Sequence, residues 1–304
     1  MSSEINVTYR VTRALPAAQQ ATCRLVVDEM AGEVPEPENA DVIVTDEFDK
    51  VVAEYLATEV DLAFDPALAN QYRADRADGA RAAARTSPQP GGKVVVIVGS
   101  AQFARGLRSV RHCLLHEAQH VRLHQRGDVA HAVHRRLPFT LPEDEFIWEF
   151  LWRAENAIDE FRCERTVHER GWTDPTNTHG PRDLDGVLGT FRAVQAEFHR
   201  TGDRERAYEG AFGALDRLST VLGYGAAALV TGVTAPVTWA QSPAMGRVLD
   251  VLEDLPGAHV PVPRETVLAT AAEVAKRLRR IFQELGFDCY FEGDDGGRWF
   301  VVAS

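Results

Sequence analysis

The chain opens on an alternation. Ile5, Val7, Tyr9 and Val11 are separated by polar residues, the two-residue period of a half-buried strand. Pro16 then predicts a helix that reaches Met30 and stops at Gly32, and residues 42–45 read as a second strand. Residues 47–85 carry a helical pattern broken near Asp65 and Pro66. Residues 87–92, Ser-Pro-Gln-Pro-Gly-Gly, punctuate the chain and lead into residues 94–98, an apolar β-branched run short enough for a well-buried strand.

A helix is predicted over 106–126, with Gly127 placed to take the left-handed turn after its end. Thr140-Leu-Pro-Glu143 has the form of a capping box and predicts a helix over 141–170, ended by Gly171. The pattern then stays helical over 184–200, 204–222, 243–254 and 264–285, where Gly286 stops it. Residues 223–237, rich in small side chains, are too short to span a bilayer and read as a core segment. Residues 288–292 and 298–302 flank Gly-Asp-Asp-Gly-Gly and predict a terminal hairpin. The expected fold class is α+β and predominantly helical. It comprises a core over residues 1–180 and a mostly helical region over 181–304, within the same domain or following it.

Charge narrows the range of partners. With 33 basic and 45 acidic residues the net charge is −12, which disfavours broad binding to nucleic acid or to an anionic membrane. The first residues show neither a cationic stretch nor an apolar run, so no secretory leader is expected. Cys23, Cys113, Cys163 and Cys289 form no CxxC and no disulfide framework, which points to a reducing, cytoplasmic setting.

The chemistry concentrates in Arg111-His-Cys-Leu-Leu-His116-Glu117-Ala-Gln-His120-Val-Arg-Leu-His124. His116 and His120 are spaced i, i+4, which puts both imidazoles on one helix face and lets them converge on a single Zn²⁺. Glu117 is turned about 100° from His116, so it can miss the metal and serve as general base towards the metal's water ligand. A third ligand is sought downstream. On the helix predicted over 141–170, Glu155 and Asp159 share a face. Glu155 is the first candidate for the metal, and Asp159 is placed to hold a histidine ligand's other nitrogen. Glu160, with Glu164 one turn on, is the alternative. A solvated acidic face paired with Arg162 or Arg165 is the non-functional reading of the same residues.

His116-Glu117-Ala-Gln-His120 followed by Glu155-x-x-x-Asp159 resembles the gluzincin branch of the zincin metallopeptidases. The resemblance covers about residues 90–170 and implies a zincin-like core, a small sheet packed on the HExxH helix and a glutamate helix. It implies that His116, His120 and Glu155 bind zinc, that Glu117 is the base and that Asp159 supports a ligand. It also implies that residues 94–98, or their neighbour at 42–45, flank the cleft for a peptide added to the sheet. No third histidine of the metzincin kind is present, because Leu123 and Arg126 stand where its glycine and histidine belong.

The function expected is therefore zinc-dependent peptide hydrolysis, with a peptide or protein as substrate. The alternatives are a zinc hydrolase acting on a non-protein amide and an inactive zincin-fold regulatory or binding protein; a helical interaction protein with an accidental HExxH is a further rival. His112 and His124, about 120° apart on the helix, read as surface or packing residues. His131, His134, His168 and His179, with Tyr208 and Tyr224, have no assigned role. Cys113 and Cys163 read as small core residues, and Phe146, Trp148, Phe150 and Trp152 as the packing face of the glutamate helix.

Overall fold

The computed structural model describes residues 4–59, 83–130, 146–174, 181–233, 241–292 and 297–303. The fold is α+β and predominantly helical, with a small mixed sheet and an antiparallel hairpin at the end of the chain. The chain divides into two compact units: residues 1–129 with 166–178, and residues 130–165 with 179–304.

The first unit is a layered αβ structure. Its strands are β1 (Asn6–Arg10), β2 (Ala40–Thr45), β3 (Ala84–Pro88) and β4 (Val94–Gly99), in the order β1-β2-β4-β3. β1, β2 and β4 are parallel, with Val7 opposite Val42 and Val42 opposite Val96, whereas β3 runs antiparallel to β4. Alternation along β4 serves two cores. Val94, Val96 and Val98 meet α1 (Ala17–Ala31) and α3 (Leu107–Arg126), while Val95 and Ile97 meet α2 (Phe48–Leu56). Burial on both faces explains why residues 94–98 are uninterruptedly apolar.

β3 was not expected. The sequence placed residues 84–85 at the end of a helix and 87–92 in a breaker. Ala-Arg-Thr-Ser-Pro has little apolar content, but an edge strand needs a partner more than a pattern, and Pro88 is tolerated there because one side of the strand makes no ladder among the described residues. Among the described residues the edges of the sheet are thus β1 and β3; the two strands named as flanking a cleft, 94–98 and 42–45, lie inside it.

The second unit contains α4 (Phe146–Glu169) as far as Arg165, then α5 (Pro181–Thr201), α6 (Arg204–Thr231), α7 (Pro243–Leu252), α8 (Arg264–Glu284) and the hairpin β5 (Phe287–Glu292) and β6 (Gly297–Val302). Aromatic rings join these elements: Phe282 of α8 lies 5.6 Å from Phe150 and 5.3 Å from Phe287, and Phe287 stacks on Phe300 at 5.9 Å. Arg162 of α4 is fully buried and donates to the Val260 carbonyl at 2.9 Å, and Ala258 N–H donates back to the Arg162 carbonyl. α6 runs past its predicted end at 222, and Gly223 lets the helix lie close to α4 at that point. The capping box at 140–143 falls outside the described residues. No helix among those described is long and apolar enough to cross a membrane.

Candidate metal site

α3 is framed by two glycines. Gly106 (φ 94°) turns the chain into it, and Gly127 takes the left-handed conformation after Arg126, where its N–H and that of Asp128 satisfy the carbonyls of His124 and Leu123. Val110, Leu114, Ala118 and Val121 bury one side of α3 in the core shared with the sheet and α1. That packing fixes the rotation of the helix and so the direction of its histidines.

His116 is buried at 4% exposure and His120 is half-buried. Their Nε2 atoms stand 3.2 Å apart, with ring centroids 5.0 Å apart and ring planes at 63°. Two neutral imidazoles at that separation need a proton or a cation between their lone pairs. Two nitrogens bound to one tetrahedral zinc at about 2.0–2.1 Å would lie about 3.3–3.4 Å apart, so this pair fits the ion.

Glu117 is 9% exposed and turned away from the imidazole pair's face. The Thr86 hydroxyl on β3 donates to its Oε2 at 2.6 Å and lies 3.4 Å from its backbone carbonyl. Thr86 shares a strand face with Ala84, which packs in the α1–α3 core, so alternation along β3 aims its hydroxyl at α3. Ser87, on the opposite face, is pinned by donating to Glu59 at 2.7 Å. Sequence reasoning missed Thr86, because nothing around it marks a strand.

On α4, Glu155 is buried at 1% exposure, Asp159 is buried and Glu160 is half-buried. Both oxygens of Asp159 accept from the Ala130 N–H, at 3.0 and 3.1 Å, which anchors the chain at that point. An ionised carboxylate keeps lone pairs for a further donor. The Cβ of Glu160 lies against Gly223 of α6.

The other histidines separate by environment. His112 is buried, and its Nδ1 accepts from the Asp174 N–H at 2.9 Å, which fixes the neutral tautomer with the proton on Nε2. His168 Nδ1 lies 2.7 Å from the Thr173 hydroxyl, and Arg108 donates to the Thr173 carbonyl, so the segment after α4 is tied down by three side chains. His124 is half-buried. His131, His134 and His179 lie outside the described residues. The Tyr208 hydroxyl donates to Glu149 at 3.3 Å, and burial, reinforced by that carboxylate's charge, pushes its pKa up to about 12.

Cys113 and Cys163 are buried, as expected of small core residues. Phe150 is fully buried but Trp152 is 40% exposed, so the packing face of the glutamate helix does not include it. Two residues on a helix span about 200°, which sends Phe150 and Trp152 to opposite sides. The side chains of Phe146 and Trp148 are outside those described.

Comparison with protein-family models, with curated proteins and with solved structures gives no match to this chain. The functional reading therefore rests on the residues themselves.

Proposed function

We propose that the chain is a zinc-dependent hydrolase of amide bonds, acting on a peptide or protein substrate. The observation that carries this reading is the 3.2 Å separation of the His116 and His120 Nε2 atoms, with Glu117 one position along the same helix. For the third ligand the resemblance implies a carboxylate of α4. Glu155, with Asp159 supporting a ligand histidine, is the choice that the gluzincin-like pattern implies, and Glu160 is the alternative.

His116 and His120, with the third ligand, would hold the zinc, which would supply Lewis acidity to the attacking water and to the scissile carbonyl. Glu117 takes a proton from the attacking water and returns it to the leaving amine. Its carboxylate has one oxygen engaged by Thr86 and one left for that proton. The outer edge of β3 has no strand partner among the described residues, and an extended peptide could add to the sheet there by main-chain hydrogen bonds.

Digestion of a peptide library by the zinc-loaded protein and by Glu117→Gln, read by mass spectrometry, tests the proposal. Cleavage at defined bonds by the wild type, reduced about 10²–10⁴-fold in the variant, is the expected result. Equal cleavage by both proteins would discard Glu117 as the base.

A further inference from the structure

We infer that Thr86 is a positioning residue for Glu117, an inference that rests on the reading of α3 as a metal-binding helix. Its geometry is independent of the third ligand, because Thr86 and Glu117 both belong to the first unit.

A glutamate has three rotatable bonds, and a base is effective only when its free oxygen is held towards the proton it must take. Nothing in α3 itself restrains Glu117, because helix geometry fixes the direction of Cβ but not the end of the side chain. Thr86 supplies the restraint from outside the helix. Its hydroxyl makes a short bond of 2.6 Å to Oε2, in the range of a hydroxyl donating to a charged carboxylate.

The donor is itself held. Thr86 pairs with Val96 across the β3–β4 ladder, and on the next residue Ser87 is tied to the buried Glu59, which also receives Arg85 at 3.4 Å. The edge strand is therefore anchored on its other face, and Thr86 is presented to α3 from a fixed backbone. Threonine adds stiffness, because two substituents on Cβ restrict its first torsion. The oxygen that Thr86 does not take, Oε1, is left for the reacting side.

The probe is Co²⁺, whose visible d–d absorption responds to its ligands and to the groups hydrogen-bonded to them. Wild type, Thr86→Val, Thr86→Ser, Glu117→Gln and the Thr86→Val/Glu117→Gln double variant are stripped of metal, loaded with equimolar Co²⁺ and assayed for bound metal and spectrum. Thr86→Ala replaces the valine variant should that one fail to fold. The expected result is unchanged metal content throughout and a Thr86→Val band shifted in the same direction as that of Glu117→Gln. Thr86→Ser should restore the wild-type band, and the double variant should match Glu117→Gln alone, since Thr86 acts only through that carboxylate. A Thr86→Val spectrum identical to wild type, while Glu117→Gln differs, would overturn the inference and leave the metal site standing. A spectrum common to all five proteins would overturn it as well. Failure of the wild type to bind Co²⁺ or Zn²⁺ would instead bring down the metal-site reading on which the inference depends.

Discussion

A methyl group placed on Gly223 would lie 2.6 Å from the carbonyl oxygen of Ala157. α6 and α4 approach each other closely enough at this point that only a residue without a side chain fits, and the atom in the way belongs to a backbone that cannot turn aside. The same contact seats the Cβ of Glu160 beside α6.

Gly223→Ala should therefore lower stability by about 1–3 kcal/mol through overpacking, despite the gain of about 1 kcal/mol that alanine brings to a helix. Gly213, on the same helix, has no atom within 4 Å of where its Cβ would stand. Gly213→Ala should stabilise the protein by about 0.5–1 kcal/mol. Urea denaturation of the two variants beside the wild type reads both signs.

Zinc content separates the ligands. By inductively coupled plasma mass spectrometry the wild type should carry about one zinc per chain, the tetrahedral complement of one site. His116→Ala and His120→Ala should each lose it, since removing either leaves one imidazole without its neighbour at 3.2 Å. Glu155→Ala should lose it too, whereas loss in Glu160→Ala with retention in Glu155→Ala would move the third ligand to Glu160. Asp159→Asn should weaken zinc binding about 10–100-fold without abolishing it.

Stability should fall in alkali. Tyr208 and Cys289 in the second unit and Tyr9 in the first are each raised to about 12, chiefly by burial. The unfolded chain releases these protons from about pH 9 for the thiol and about pH 10 for the phenols, so above those values the unfolded state binds fewer protons than the native one. The native state accordingly loses stability as pH rises towards 12. Urea midpoints measured from pH 8 to 11 should decline, and the decline should be shallower in Tyr208→Phe than in wild type.

His112 serves the fold. Its replacement by phenylalanine takes the acceptor from the Asp174 N–H inside the protein, at a cost of about 1–3 kcal/mol. Zinc content should be retained in that variant, and the melting temperature should fall. Loss of zinc with an unchanged melting temperature would instead place His112 among the metal's ligands.

Most helices were legible because their pattern is local. Apolar spacing fixed α1, α3, α5, α7 and α8 to within a few residues, and Gly127 and Gly286 ended helices where a left-handed residue was needed. The hairpin announced itself by the Gly-Asp-Asp-Gly-Gly run in the sequence between its two strands. The pairing of His116 with His120 was equally local, since an i, i+4 spacing on any helix puts two side chains within reach of one ion.

Tertiary structure decided the rest. Ala84–Pro88 is a strand only because β4 is beside it, and its sequence carries no period to reveal that. The bond from Thr86 to Glu117 joins residues 31 positions apart, through a strand whose existence depends on pairing. The close approach at Gly223 likewise depends on α4, which turns a helix-weakening residue into the one that fits. Helical periodicity is written into neighbouring residues and survives without partners; strand pairing, edge position and close helix contacts arise only between segments distant in the chain. For this protein the sequence alone determined which helix carries the imidazole pair, and the folded chain determined what holds the carboxylate next to it.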